Sequence, residues 1–211
     1  MASANTLRIW GRMSSINVKK VVWTAQELGL EFQRTEAGGP FGLVRTPDYL
    51  RLNPNALVPV IEDGDFVLWE SNVIVRYLAA KYAPGTLYPE KLAERMNAER
   101  WMDWCSSTLG ASMTTVFWQL VRTPEDKRDM KAVEAAAKSC AEMFGMLETH
   151  MAGKQFIAGD TFTIGDIPTG CFFNRFMDLP IAHPALPNLR AWLERLKQRP
   201  GFHKHVALPL S

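Results

Sequence analysis

The sequence has 211 residues, of which 47% are hydrophobic and 22% charged, a balance typical of a globular protein with one large domain or two small ones. Its 24 basic and 22 acidic side chains leave a formal charge of +2. Such a small excess does not indicate a field that would attract a polyanion, so we exclude nucleic acid as the expected partner.

The cysteines and the hydropathy pattern limit the cellular setting. Cys105, Cys140 and Cys171 are widely spaced, odd in number and form no Cys-x-x-Cys, so we predict free thiols, no disulfide framework and no metal site. No apolar run approaches the ~20 residues that span a bilayer, and Met1–Asn5 lacks the apolar core of a secretory signal. We therefore expect no membrane partner and a cytoplasmic location.

The first 82 residues alternate strand-like and helix-like segments. Hydrophobic periodicity and turn residues predict, in chain order, strand Thr6–Trp10, helix Ser15–Leu28, strand Glu31–Thr35, a Gly/Pro-rich loop with a short helix, strands Val58–Glu62 and Phe66–Trp69, and helix Glu70–Tyr82. An Asp-Gly turn joins the last two strands as a hairpin. This order predicts a small α/β domain over residues 1–82.

The rest of the chain shows only helical patterns. Residues 83–91 carry prolines and a glycine and are interpreted as a linker. Apolar stripes then predict helices Glu94–Val121, Lys131–Met151, Ile164–Met177 and Leu186–Gln198. Residues 92–211 are therefore expected to form an all-helical domain.

Two serines, Ser14 and Ser15, stand where the first strand gives way to the first helix. Either could simply cap the helix, since serine is favoured at that position. The functional alternative is that the unpaired N–H groups and positive dipole end of the helix stabilise a thiolate, to which a serine hydroxyl donates a hydrogen bond.

Pro59 interrupts a strand-like run, Val58–Glu62, which is unusual for a central strand. The segment could be an ordinary loop-to-strand entry. A cis Val58–Pro59 bond at the end of the strand would instead leave the N–H and C=O of Val58 free to pair with a peptide ligand.

Glu70 and Ser71 open the helix that follows the hairpin. Both residues could serve as a cap and a favourable charge near the helix dipole. Alternatively, the N–H and hydroxyl of Ser71 hold a ligand carboxylate and Glu70 holds the adjacent ammonium, which together recognise an amino-acid head group.

Taken in order, these three segments resemble the cytosolic glutathione transferase superfamily, and specifically its bacterial-type serine members, similar to the theta, phi and nu classes. The resemblance extends over nearly the whole chain. In the helical part it rests on the segment 162–168, where Thr163 and Asp166 look like the capping box of the family.

The resemblance implies a thioredoxin-like N-terminal domain, an all-α helical-bundle C-terminal domain, and a cytoplasmic homodimer. It implies that glutathione is the co-substrate, with Glu70 and Ser71 on its γ-glutamyl group and Val58, beside a cis Pro59, on its cysteinyl part. Ser15 would donate to the sulfur. The expected reaction is attack of the thiolate on a small, apolar electrophile bound between the domains.

Several alternatives stay open. Ser14 replaces Ser15 as the sulfur donor if the serine pair follows the zeta isomerase pattern. Asn17, two residues after Ser15, resembles bacterial members that reduce disulfides with glutathione, so a disulfide reductase is the second hypothesis. A non-catalytic binding protein that keeps the fold is the third.

The sequence also departs from the family pattern. Ala56 and Leu57 are apolar where many relatives place Gly or Lys, so a basic contact to the glycyl carboxylate must come from elsewhere, and Arg45 and Lys19 are the candidates. For the electrophile, Met13, Met113, Phe117 and Trp118 could form an apolar wall, although each could equally belong to the interdomain core.

Overall fold

A computed structural model describes residues 6–211 of the chain. Met1–Asn5, on which the expectation of a missing secretory signal rests, lies outside the described residues. The first part of the fold is a sheet whose strands are β1 (Leu7–Trp10), β2 (Phe32–Thr35), β3 (Val60–Asp63) and β4 (Phe66–Trp69), in the order β2-β1-β3-β4. β1 pairs parallel to β2 and antiparallel to β3, and β3 and β4 form the expected hairpin.

Helices α1 (Ile16–Glu27) and α3 (Ser71–Tyr82) pack on each other, and α2 (Pro47–Leu52) lies in the connection between β2 and β3. The apolar faces of α1, α3 and the sheet share one buried cluster. The expected α/β domain of thioredoxin type, with a mixed four-stranded sheet, is confirmed.

After α3 the described chain is helical. The elements are α4 (Leu92–Trp104), α5 (Gly110–Phe117), α6 (Met130–His150), α7 (Asp166–Asp178), α8 (Pro187–Lys197) and α9 (Pro200–His205). Cys105–Leu109 and Trp118–Arg122 form π-helical turns, so the predicted helix Glu94–Val121 is one helical path with two locally widened turns. The all-helical character of the C-terminal domain is confirmed, whereas α9 was not predicted.

Helix α1 joins the sheet to the helical part. Trp23 is fully buried in the large cluster of the helical part, and its ring centroid lies 5.0 Å from that of Phe202 and 5.6 Å from that of Phe162. Arg199 forms an ion pair with Glu27 at 2.7 Å beside these rings. The position of the α1 N-terminus therefore depends on packing from both parts of the chain.

Helix α7 starts at a buried carboxylate. Asp166 accepts the N–H of Thr163, as the capping box predicts, and also the N–H of Ile157 and the indole N–H of Trp192, at 2.9, 2.8 and 2.9 Å respectively. The hydroxyl of Thr163 donates to the same carboxylate at 3.3 Å. Asp166 thus connects the loop before α7, the start of α7 and helix α8.

Candidate functional site

Register in the sheet brings the three predicted segments to one edge. Trp10 pairs with Val60, and Val60 pairs with Trp69, so three strand ends lie side by side. The chain that follows Trp10 leads to Ser15, the chain that precedes Val60 is Val58–Pro59, and the chain that follows Trp69 is Glu70–Ser71. Segments that are far apart in sequence therefore surround a single corner of the molecule.

Ser15 occupies the N-cap position of α1, yet its hydroxyl accepts no capping bond. Ser14 and Ser15 are both half-buried, whereas Asn17 is exposed one residue into the helix. The carbonyl of Ser14 accepts the guanidinium of Arg175 at 3.5 Å. The local capping role considered for Ser15 is therefore not filled, and its hydroxyl remains available at the positive end of the helix.

The peptide bond between Val58 and Pro59 is cis, as expected. β3 begins only at Val60, so Val58 lies outside the ladder, and among residues 6–211 its N–H and C=O have no backbone partner. The neighbouring carbonyl of Leu57 is held by the hydroxyl of Tyr49 at 2.7 Å and the amide of Asn53 at 3.0 Å. The backbone of Val58 is thus held in place at this corner with its N–H and C=O free of backbone partners.

Glu70 has a φ of 71°, in the left-handed region that few residues other than glycine adopt. This turn exposes the Glu70 side chain and lets α3 begin at Ser71, which is only 6% exposed. Side chains held in such a conformation cluster at binding sites. Ser71 is therefore the first residue of the helix, where its N–H has no partner within the helix, rather than the N-cap.

The two basic residues considered for the glycyl carboxylate differ in placement. Lys19 is buried, and its ammonium donates to the carbonyl of Val206 at 3.0 Å, so it is already engaged within the chain. Arg45 is exposed in the loop before α2 and remains available. Burial lowers the pKa of Lys19 and also that of the fully enclosed Lys20, whose ammonium lies 3.5 Å from the amide oxygen of Asn72.

Three arginines that the sequence did not single out lie beside the serines. Arg12 follows β1, Arg122 ends the turn after α5, and Arg175 is on α7. Arg175 and Arg122 share the ring of Phe117, with guanidinium carbons 4.0 and 5.5 Å from its centroid. Arg12 stands two residues before Ser14 and could have been noticed in the sequence, but nothing there brings Arg122 or Arg175 to this corner.

The four side chains expected to form an apolar wall differ in how exposed they are. Met113 is 1% exposed within the helical core, and Met13 packs partly buried against the core of the sheet. Phe117 is 5% exposed beneath the arginines, whereas Trp118 is 54% exposed. Trp118 thus offers the largest accessible apolar surface of these side chains.

The remaining predictions concern metals, thiols and membranes. Within residues 6–211, no group of three or more His, Cys, Asp or Glu side chains could hold a metal ion. Cys105, Cys140 and Cys171 are free and buried, and burial raises the pKa of each thiol. No described helix is both long and apolar enough to cross a bilayer.

Comparison with known proteins decides the family. Residues 5–80 match the model of the glutathione S-transferase N-terminal domain, and residues 109–200 match that of the C-terminal domain. The chain belongs to the glutathione S-transferase family. Its expected enzyme class, a transferase, is thereby confirmed.

Individual members of this family match over nearly the full length. Glutathione S-transferase GstB of Escherichia coli strain K12 is 40% identical over 207 residues, which cover 97% of this chain and 100% of the relative. Glutathione S-transferase 3 of Zea mays is 33% identical over 211 residues, covering 97% and 95%. The crystal structure of a theta class glutathione S-transferase from Xanthomonas axonopodis pv. citri, with glutathione bound, is 44% identical and superposes with a TM-score of 0.95, covering 98% of this chain and 100% of that one.

Proposed function

We propose that this glutathione S-transferase binds glutathione along the corner formed by Val58 and Ser71, and that the Ser15 hydroxyl stabilises its thiolate. The thiolate attacks an electrophilic carbon of a second substrate, a carbon–sulfur bond forms, and the leaving group departs with its electron pair. The thiol proton passes to solvent. The likeness to a relative crystallised with glutathione supports the choice of co-substrate.

The observation that carries this proposal is the common edge of Trp10, Val60 and Trp69. At that edge stand a hydroxyl without a capping bond and a backbone edge that a peptide could extend. The same edge leads to the N-terminus of α3 at Ser71, where unpaired N–H groups can bind a carboxylate. Glutathione has a matching series of groups, namely a thiol, a cysteinyl peptide and an amino-acid head group.

The hydrogen bond from Ser15 and the dipole of α1 together can supply the free energy needed to stabilise the thiolate. A free thiol has a pKa near 8.5, and lowering it by about two units requires roughly 2.7 kcal/mol. A charge-assisted bond from the Ser15 hydroxyl and the N-terminal end of α1 contribute on that scale. No general base is needed for this role.

We further propose that residues 1–82 hold glutathione, that 83–91 link the domains, and that 92–211 supply the wall for the apolar body of the electrophile, with Trp118 as its exposed part. Exposed Phe66, Trp69 and Val73 on β4 and α3 support assembly as a homodimer. The free thiols suit a reducing, cytoplasmic environment.

Titration of bound glutathione tests the assignment of the serine. We expect Ser15→Ala to raise the pKa of the bound thiol by about 1–2 units, because the anion loses a donor, and to leave glutathione affinity nearly unchanged at a pH low enough to keep the bound thiol protonated. The ultraviolet absorbance of the thiolate against pH measures this pKa. Ser107→Ala, on the exposed surface of the turn after α4, is the matched control.

The same titration can contradict the proposal. An unchanged curve in Ser15→Ala together with a shifted curve in Ser14→Ala would transfer the role to Ser14. Failure of the unmodified protein to bind glutathione in calorimetry would refute the function altogether and would leave the third hypothesis, a non-catalytic protein.

A second candidate, glutathione-dependent disulfide reduction, is favoured by the exposed position of Asn17 at the first turn of α1, near Ser15. Comparison of the turnover of chlorodinitrobenzene with that of a small mixed disulfide separates the two reactions. Asn17→Ala should lower only disulfide turnover if the amide assists exchange at sulfur.

A further inference from the structure

We infer that the second substrate of this enzyme carries an anionic group, and that Arg12, Arg122 and Arg175 form the subsite that binds it. The inference rests on the proposed function and specifies the chemical class of electrophile. The expected electrophile is an otherwise apolar molecule that carries a carboxylate or an oxyanion of similar geometry.

The three guanidinium groups lie close to one another. Arg175 reaches the carbonyl of Ser14, and its guanidinium carbon lies 4.0 Å from the ring centroid of Phe117. Arg122 lies over the same ring at 5.5 Å. Arg175 thus reaches the serine pair from the helical domain, and Arg122 lies over the same aromatic ring as Arg175.

Arg12 completes the group from the other domain. The backbone of Gly38 and Gly39 lies so close to its guanidinium that a Cβ built on either glycine would fall 2.9–3.0 Å from it. Burial, and then the charge of Arg122, lower the pKa of Arg12. The three side chains therefore share one electropositive space at the junction of the domains.

No acidic side chain neutralises the three guanidinium groups within the described chain. Among residues 6–211, no aspartate or glutamate forms an ion pair with any of the three arginines. The Nε atoms of Arg12 and Arg122 are buried without a hydrogen-bond acceptor in that range, and the one hydrogen bond that the Arg122 side chain makes there runs from a terminal nitrogen to the main-chain oxygen of Ser211, the last residue of the sequence. Burial, followed by the nearby Arg122 and Arg12, lowers the pKa of Arg175 to about 10.

Half-buried cations without a carboxylate partner oppose folding, and guanidinium groups match carboxylates through paired N–H donors. An anion that enters this corner relieves the repulsion and accepts the free donors. Since Arg122 and Arg175 belong to the helical domain, the anion belongs to the molecule bound there, which is the electrophile. Phe117, stacked under both cations, holds them in place for it.

Matched electrophiles test this directly. We compare a chloronitrobenzoate with the corresponding chloronitrobenzamide, dividing each kcat/KM by the rate of the uncatalysed reaction with glutathione. In both reactions the thiolate sulfur bonds to the ring carbon and chloride leaves with its electron pair. The unmodified enzyme should favour the acid by about tenfold or more, the scale of a charge-assisted hydrogen bond.

Arginine variants locate the preference. In Arg122→Met and Arg175→Met, kcat/KM for the acid should fall about tenfold or more while that for the amide changes by less than about threefold. Arg190→Met, an exposed arginine on α8, is the control and should change neither. Thermal denaturation of each variant checks that it is folded. If one variant does not fold, the other still tests the preference for the acid.

A binding experiment gives a readout that does not need turnover. Calorimetry with S-hexylglutathione and S-(carboxypentyl)glutathione, which differ by a methyl and a carboxylate, should show tighter binding of the carboxylate, and Arg175→Met should abolish the difference. Binding of both analogues without preference would refute the anionic subsite and leave the glutathione function intact.

Two other outcomes would also overturn the inference. Equal losses for acid and amide in the arginine variants would show that the cluster acts on the thiolate in general. Weaker binding of glutathione itself in those variants would assign the cluster to the glycyl carboxylate. Failure of the unmodified protein to bind glutathione at all would instead refute the proposed function on which the inference rests.

Discussion

The carboxylate of Asp166 should contribute more to stability than any surface acid of this chain, and Asp166→Ala tests this. The substitution removes the acceptor for the N–H groups of Ile157 and Thr163 and for the indole N–H of Trp192. Asp166 itself is fully buried. Water therefore cannot replace the lost acceptor without rearrangement of the α7 start.

The expected size follows from these contacts. A buried donor left without an acceptor costs about 1–3 kcal/mol, and partial relaxation reduces the total for several neighbouring donors. We expect the free energy of unfolding to fall by about 4–6 kcal/mol, which is exceptional for one substitution. Asp166→Asn retains one oxygen acceptor and should lose about half as much.

Urea unfolding at a fixed protein concentration measures the loss, since any oligomerisation would make stability depend on concentration. Asp160→Ala, an exposed aspartate in the loop before α7, is the matched control and should stay within about 0.5 kcal/mol of the unmodified chain. The reasoning is wrong if Asp166→Ala and Asp160→Ala are equally stable, because the buried donors would then have found other acceptors.

Three further predictions concern stability. Burial raises the pKa of Asp166 from 3.8 to about 6, so between these pH values the folded chain keeps a proton that the unfolded chain has lost. As the pH rises from about 4 to about 6, the free energy of unfolding should therefore fall by about 3 kcal/mol. This fall should be absent from Asp166→Asn. Gly11→Ala should lower the free energy of unfolding by more than about 2 kcal/mol, because Gly11 has a φ of 147° and a Cβ there would lie 2.4 Å from Val18. Gly145→Ala, inside α6 with open space around it, should instead raise the free energy of unfolding by about 0.5–1 kcal/mol. Urea unfolding measures both changes. Lys20→Met should raise the melting temperature, because a buried ammonium with no described carboxylate partner is replaced by an apolar chain of similar length; an unchanged or lower value would contradict this.

The sequence predicted local elements well because their signals are local. The start of α1 one residue after Ser15 follows from periodicity and helix-capping preferences. The π-helical turns at Cys105–Leu109 and Trp118–Arg122 could not be predicted, because hydrophobic spacing does not distinguish a widened turn from a regular one. Helix α9 is short and carries too few apolar positions to show a period.

For the site, residue types and their order could be read from the sequence, whereas their juxtaposition depends on the fold. Ser15, Val58 and Ser71 could be grouped because each stands at the end of a predicted element. Arg122 and Arg175 could not, since their approach depends on how α7 packs against α1 and on the course of the turn after α5, and charged residues within helices are usually on solvated faces. Lys19 was considered for the site, but α1 turns it towards Val206.

The burial of Trp23 between Phe162 and Phe202 has a consequence for engineering. Helix α1 carries the candidate sulfur donor at its start and supplies an aromatic side chain to the helical part along its length. A chimera that combined the first 82 residues of this chain with the helical half of a relative would need matching aromatic surfaces there. Without them, we expect α1 to shift and to move Ser15 away from the position that its chemistry requires.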